Sequence, residues 1–171
     1  FQTLLRSFSG EADVLNNYGD PTVLYIVQTA KQVEREKHRM KAFIRFEKAH
    51  DGLFFAVIEP DFNVLPLIKD FFLDRYTDQS WLIYDKSRNF GLYYDKSRIS
   101  EVTIAPAGFA AKNGAPSQAV YDAEEMKFKT LWQDYFKNTN IAARRNLKLH
   151  LQHVPRRYWK YLVEKNAVLP K

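Results

Sequence analysis

The chain has 171 residues, 46% of them hydrophobic, with thirteen Phe, ten Tyr and three Trp. That is enough for a core and excludes wholesale disorder, while the absence of cysteine excludes disulfides and thiolate metal sites together. The net charge of +6 is uneven: eleven Lys or Arg stand against four Asp or Glu from Ala123 onward, whereas the first 122 residues carry 15 and 16.

The chain opens on Phe1 rather than Met, so it reads as trimmed at its N-terminus. No apolar run approaches the roughly eighteen residues of a membrane span and no signal peptide is visible, which points to the cytoplasm. Phe1, Leu4, Leu5 and Phe8 have helical spacing, closed by Ser9-Gly10. Asp20-Pro21 starts the next helix, with Asp as N-cap and Pro at the first helical position, and the pattern runs to about Lys37. From Arg39 the period changes. Met40, Ala42, Ile44 and Phe46 alternate with Lys41, Phe43, Arg45 and Glu47, which predicts a strand. His50-Asp51-Gly52 turns the chain into a second strand, Leu53 to Ile58, completing a hairpin. Asn63 is placed to cap a helix from Val64 to about Arg75, with Pro66 tolerated in its first turn. Trp81–Tyr84, Phe90–Tyr94 and Glu101–Ile104 predict three more strands, the first two joined through Ser87-Arg88-Asn89.

Residues 105–122, rich in Ala, Gly, Pro, Asn and Ser, read as a linker. Helices follow over 123–138, from the cap Asn140 to His150, and from Pro155 to about Glu164. The expected architecture is α+β: an antiparallel sheet of about five strands packed with helices over 1–104, then a basic helical region over 123–171 packed on it. The pentapeptide Tyr-Asp-Lys-Ser-Arg occurs at Tyr84–Arg88 and again at Tyr94–Arg98, a turn solution used twice rather than a repeat architecture.

Several segments together resemble a bacterial family described as "probable DNA metabolism protein", of unknown function. They include His38-Arg39-Met40-Lys41, Ile58-Glu59-Pro60, Asn63-Val64-Leu65-Pro66-Leu67, Trp81-Leu82-Ile83-Tyr84-Asp85 and Leu131-Trp132. The most specific run is Pro155-Arg156-Arg157-Tyr158-Trp159-Lys160-Tyr161-Leu162, and the match extends from about Asp20 to Lys165. The resemblance implies a role in DNA repair or modification, beside a radical S-adenosylmethionine protein or fused to a uracil-DNA glycosylase. It carries no reaction and no catalytic residues.

The strongest chemical signal is the basic and aromatic C-terminal stretch. Arg144, Arg145, Arg156, Arg157 and Lys160 are suited to neutralising phosphates, and His150 beside Arg145 to the same task. Trp159, if exposed, would stack on a base. At helical spacing, however, Tyr158, Tyr161 and Leu162 share one face, and docking of the rings on the domain is favoured over base stacking. Arg39, Lys41 and Arg45 at alternate strand positions would form a positive stripe on a sheet face, against a plain solvated face. His150 and His153 lack a third ligand nearby, so no metal site is expected, and no cofactor fingerprint is present. His38, Glu59 and Asn63 are weak catalytic candidates, since acidic residues near a helix start are explained by its dipole. The leading expectation is a nucleic-acid-binding accessory whose partner is DNA or RNA. The alternatives are an enzyme acting on DNA or a nucleobase, and a docking module for the radical S-adenosylmethionine or glycosylase partner. In the last case the C-terminal Tyr and Trp rings should form an exposed patch.

Overall fold

The computed structural model describes residues 14–49, 51–103 and 147–166, together with Arg6, Ser9, Thr130 and Leu131. After a short 3₁₀ turn at Val14–Asn16, helix α1 spans Pro21–Phe43. The sheet consists of β1 (Glu47–Lys48), β2 (Phe54–Ile58), β3 (Trp81–Asp85), β4 (Phe90–Tyr94) and β5 (Ile99–Val102), with helix α2 (Leu65–Arg75) between β2 and β3. Helix α3 (Leu147–His153), a 3₁₀ helix over Arg156–Tyr161 and a short helix α4 (Val163–Asn166) follow. The class is α+β. The predicted linker, residues 140–146 of the helix expected from Asn140 to His150, and most of the helix over 123–138 and of the first helical turn fall outside the described residues, while residues 147–150 lie in α3. No described helix is long and apolar enough to cross a membrane.

Two differences from the sequence expectation matter. First, Asp20 caps α1 as predicted, its carboxylate accepting from the Thr22 N–H at 2.7 Å. The helix then runs through the expected first strand to Phe43. Nothing between Lys37 and Phe43 breaks a helix, and extending one already formed is easier than ending it. Met40 and Ile44, four apart, satisfy helical as well as alternating spacing, with Phe43 on the same helical face, and the helical period wins. Only at Ile44 does the backbone become extended, leaving β1 two residues long.

Second, the sheet is mixed. Strands lie in sequence order, and three of the four pairings are antiparallel, but β2 and β3 are parallel, with Ala56 opposite Ile83. A connection carrying a whole helix makes the crossover that a parallel pair needs. Along the inner face Ala56, Ile58, Trp81, Ile83, Leu92 and Tyr94 alternate into the core, where Leu65, Ile68 and Phe72 of α2 and Met40 of α1 meet them. Phe55 and Tyr84, on the opposite face, are buried too, as expected for strands in a parallel pair.

The repeated pentapeptide makes the same turn twice. Asp85 accepts from the N–H groups of Ser87 and Arg88, and Asp95 from those of Ser97 and Arg98. The N–H of Arg98, with the hydroxyl and N–H of Ser97, holds the Asp95 carboxyl well below the usual carboxylate range. The second copy is open to solvent and the first is not: Asp85 is fully buried.

Candidate functional site

Carboxylates gather where β2 and β3 end side by side. Glu59, Pro60 and Asp61 follow β2, Asp85 closes β3, and Glu36 arrives from α1. Arg88 ties the two strand ends together, donating to Asp85 at 2.7 Å and to the carbonyls of Pro60 and Asp61 at 3.0 and 2.6 Å. In a parallel pair this end is the usual place for a ligand. Here the chain's own cations occupy it.

Those cations come from the 3₁₀ helix. With three residues per turn, side chains three apart line up, so Arg156 and Trp159 form one row, Arg157 and Lys160 a second, and Tyr158 and Tyr161 a third. Arg157 donates to Glu36 at 2.8 Å and also reaches Asp61 and the Tyr158 hydroxyl. Lys160 pairs with Glu59, which Lys86 approaches to 3.6 Å. Glu36 is only 2% exposed, and it accepts from Tyr158 at 2.6 Å and from the Asp61 N–H at 3.0 Å. Burial, then the hydrogen bond and charge of Glu36, push the Tyr158 hydroxyl well above its usual range, so it stays a donor. Burial first and Glu59 second do the same to Tyr161. Burial alone would raise the Glu59 carboxyl, but Lys160, Tyr161 and Lys86 together hold it below its ordinary value. The arrangement locks a basic helix onto the sheet.

A second feature lies between α1 and α3. An open cleft of 720 Å³ is lined by Lys31, Glu34, Arg35, His38 and Arg39 from α1 and by Gln152 and His153 from α3. The α1 residues recur at four, three and one positions, one face of a helix. Arg39 donates to the Gln152 carbonyl at 3.3 Å and joins the two walls. Glu34 is neutralised by Lys37 at 2.8 Å. Among the described residues no carboxylate pairs with Lys31, Arg35 or Arg39.

The predicted site residues are therefore redistributed. Arg39 and His38 line this cleft, on a helix and not on a sheet face. Lys41, also helical, lies over the Phe71 ring at 5.1 Å. Arg45 turns back on the carbonyls of Ala42 and Ile44 and pairs with Glu164 at 3.0 Å. The expected stripe of Arg39, Lys41 and Arg45 thus does not form, because the helix turns Arg39 and Lys41 to different sides and Arg45 lies beyond its end. Phe43, expected on the same stripe, packs its ring 5.5 Å from Tyr158. Arg157 and Lys160 are engaged by carboxylates. Arg156 is exposed, 5.9 Å from the Trp159 ring.

Trp159 does not meet its condition for stacking on a base. It is 7% exposed, its indole N–H donates to the Val154 carbonyl at 3.0 Å, and Lys165 lies 5.5 Å from its ring. Tyr158 and Leu162 are buried with it, so among the described residues these C-terminal rings do not form an exposed aromatic patch. Glu59 is held in the carboxylate cluster, away from the cleft that His38 lines, and Asn63 is exposed just before α2, whose cap position belongs to Val64. Arg144, Arg145 and the side chain of His150 lie outside the described residues. No group of three His, Asp or Glu among the described residues is placed to hold a metal ion. Lys31 and Arg35 went unnoticed in the sequence, although their spacing to His38 and Arg39 within an unbroken helix is the signal that marks them.

A family model described as a domain of unknown function, DUF4130, matches residues 1–164. No curated protein and no solved structure matches the chain.

Proposed function

We propose, for a chain that belongs to the DUF4130 family and thus to a domain of unknown function, that it is a nucleic-acid-binding accessory in DNA repair or modification. The phosphate backbone is taken into the cleft between α1 and α3. One observation carries this reading: Lys31, Arg35 and Arg39 share a helix face over an open cleft without a carboxylate partner among the described residues. Guanidinium and ammonium groups so placed neutralise phosphates, and His38 and His153 add imidazole hydrogen-bonding groups along the walls. Lys148 within α3 and Arg156 just after it, both exposed, add positive charge to this part of the chain.

The test is binding of the protein to single-stranded and duplex DNA across a salt series, beside the variant Lys31→Glu/Arg35→Glu. The wild type is expected to bind with log K falling linearly against log salt, and the variant to bind weakly with a slope smaller by about two. Both side chains are exposed, so unfolding curves of the two proteins should superimpose. Equal binding by wild type and variant would refute the cleft as the contact surface. No binding by the wild type even at low salt would refute nucleic-acid binding altogether.

A further inference from the structure

Beyond the end of α1 a second hollow differs from the cleft in chemistry. It has a volume of 270 Å³ and is walled by four aromatic rings, those of Phe46, Phe54, Tyr76 and Trp81, with Arg45 and Gln79 at its margin. The rings brace one another: Phe46 meets Tyr76 edge-on at 5.3 Å and lies 6.3 Å from Trp81. We infer that this pocket binds an uncharged planar heterocycle of the nucleobase class.

The case rests on what the pocket leaves unsatisfied. Trp81 is 1% exposed, and its buried indole N–H has no acceptor. A buried tryptophan ordinarily finds one, and Trp159 of this same chain does, at the Val154 carbonyl. Gln79 is half-buried, and among the described residues its side-chain amide makes no hydrogen bond; nor does the Tyr76 hydroxyl. Three residues that line one aromatic hollow therefore carry polar groups without a partner among the described residues. Together they offer donors from the indole, the amide and the phenol, and acceptors from the amide and the phenol.

Each feature narrows the occupant. Flat aromatic walls select a flat ring, because π-faces stack and edges meet faces at these distances. The volume lies at the small end of ligand sites, which suits one ring system and not an extended cofactor. The unpaired polar groups select against a pure hydrocarbon, which would leave them buried and unsatisfied. Charge is disfavoured in both senses. Among the described residues no carboxylate lines the pocket to hold a cation, as a cage for quaternary ammonium would want. The only cation among the described lining residues, Arg45, is already paired with Glu164 at 3.0 Å and bound to two carbonyls, so it does not call for an anion. A neutral ring carrying its own donors and acceptors is what remains, and enzymes that read unstacked bases use the same combination of rings and edge contacts. The site needs no phosphate and so does not depend on the cleft. The ring could reach it as a free nucleoside or displayed on a strand.

The experiment uses the full chain labelled with ¹⁵N. The indole N–H resonances are assigned with Trp81→Phe, which keeps a ring and removes the donor. Adenosine, guanosine, cytidine, thymidine and uridine are titrated separately, followed by a short single strand and its abasic counterpart. At least one nucleoside, or the strand but not its abasic form, is expected to move the Trp81 resonance saturably while leaving Trp159 in place. Gln79→Ala, a half-buried change outside the core cluster, should weaken that binding about tenfold or more, and Lys31→Glu/Arg35→Glu should leave nucleoside binding unchanged. If neither nucleosides nor strand move the Trp81 resonance, the inference is overturned. It is equally overturned if toluene binds and nucleosides do not, since the pocket is then an apolar void. Loss of nucleic-acid binding in the cleft variant with intact nucleoside binding would separate the two sites.

Discussion

Removing the Arg157 side chain tests whether the 3₁₀ helix is held by a buried ion pair or merely rests on the sheet. Glu36 is 2% exposed and has three donors among the described residues, of which Arg157 is the only cation. Taking one partner from a fully buried pair costs about 3–5 kcal/mol, because the remaining charge is left uncompensated. The Arg157 side chain is itself 40% exposed, so water reaches the vacated side and the expected loss for Arg157→Met is smaller, about 2–3 kcal/mol. Glu36→Gln keeps an acceptor for Tyr158 and for the Asp61 N–H, and should cost less. The double variant should be more stable than the sum of the single losses predicts, by about 1 kcal/mol or more, since the second change removes a group already deprived of its partner. Urea unfolding of the four proteins gives all three numbers, and Trp159 fluorescence reports whether the helix leaves before the sheet unfolds. A loss under about 0.5 kcal/mol for Arg157→Met with no coupling to Glu36 would place the pair among ordinary surface contacts. The locking argument would then fail.

Two further outcomes are expected. Because its neighbours hold the Glu59 carboxyl below its ordinary value of 4.5, its charge stabilises the fold above that pH, and the contribution fades as pH falls through the lowered value. Glu59→Gln should accordingly be less stable than wild type at neutral pH and converge with it in acid, which urea midpoints across a pH series would check; a constant gap would contradict it. Gly91 faces Tyr84 across β3 and β4, and a methyl group there would lie 2.8 Å from the Ile83 carbonyl oxygen. That oxygen belongs to backbone and cannot turn away, so Gly91→Ala should destabilise by about 1–3 kcal/mol in thermal or urea unfolding, and an unchanged midpoint would refute the close approach.

What was legible in the sequence follows the strength of local signals. The cap Asp20-Pro21, the turn at Asp51-Gly52, the helix over 65–75 and the strands around Trp81 and Phe90 each rest on neighbours in sequence, and each appears within a residue or two of its expected bounds. The Asp-Lys-Ser-Arg turns were visible because an Asp that accepts from N–H groups two and three residues on is a self-contained device. Strand direction was not visible in any single segment. It follows from a helix lying between β2 and β3, and reading strands one by one misses it. The end of α1 failed for another reason. Met40 and Ile44, four apart, fit two periods at once, and the shorter period places Arg39 on a sheet face instead of a helix face. That single choice hid the Lys31, Arg35, His38 and Arg39 row.

The number of cations that a segment carries does not fix what they touch. Among the described C-terminal cations, Arg157 and Lys160 face Glu36, Asp61 and Glu59, and Lys165 lies over Trp159. They plug the strand ends at which a sheet of this kind commonly offers its ligand site. The cations of the α1 row have no such partners among the described residues, although their half of the chain is close to neutral. This bears on which variants can locate a nucleic-acid contact. Substituting Arg157 and Lys160 strips two carboxylates of their partners and loosens the segment that follows α3, one wall of the cleft. Lost binding in such a protein would therefore not distinguish a phosphate contact from a displaced wall. Lys31 and Arg35 stand on the opposite wall, exposed and outside the buried network, so changing them alters charge while α3 stays where it is.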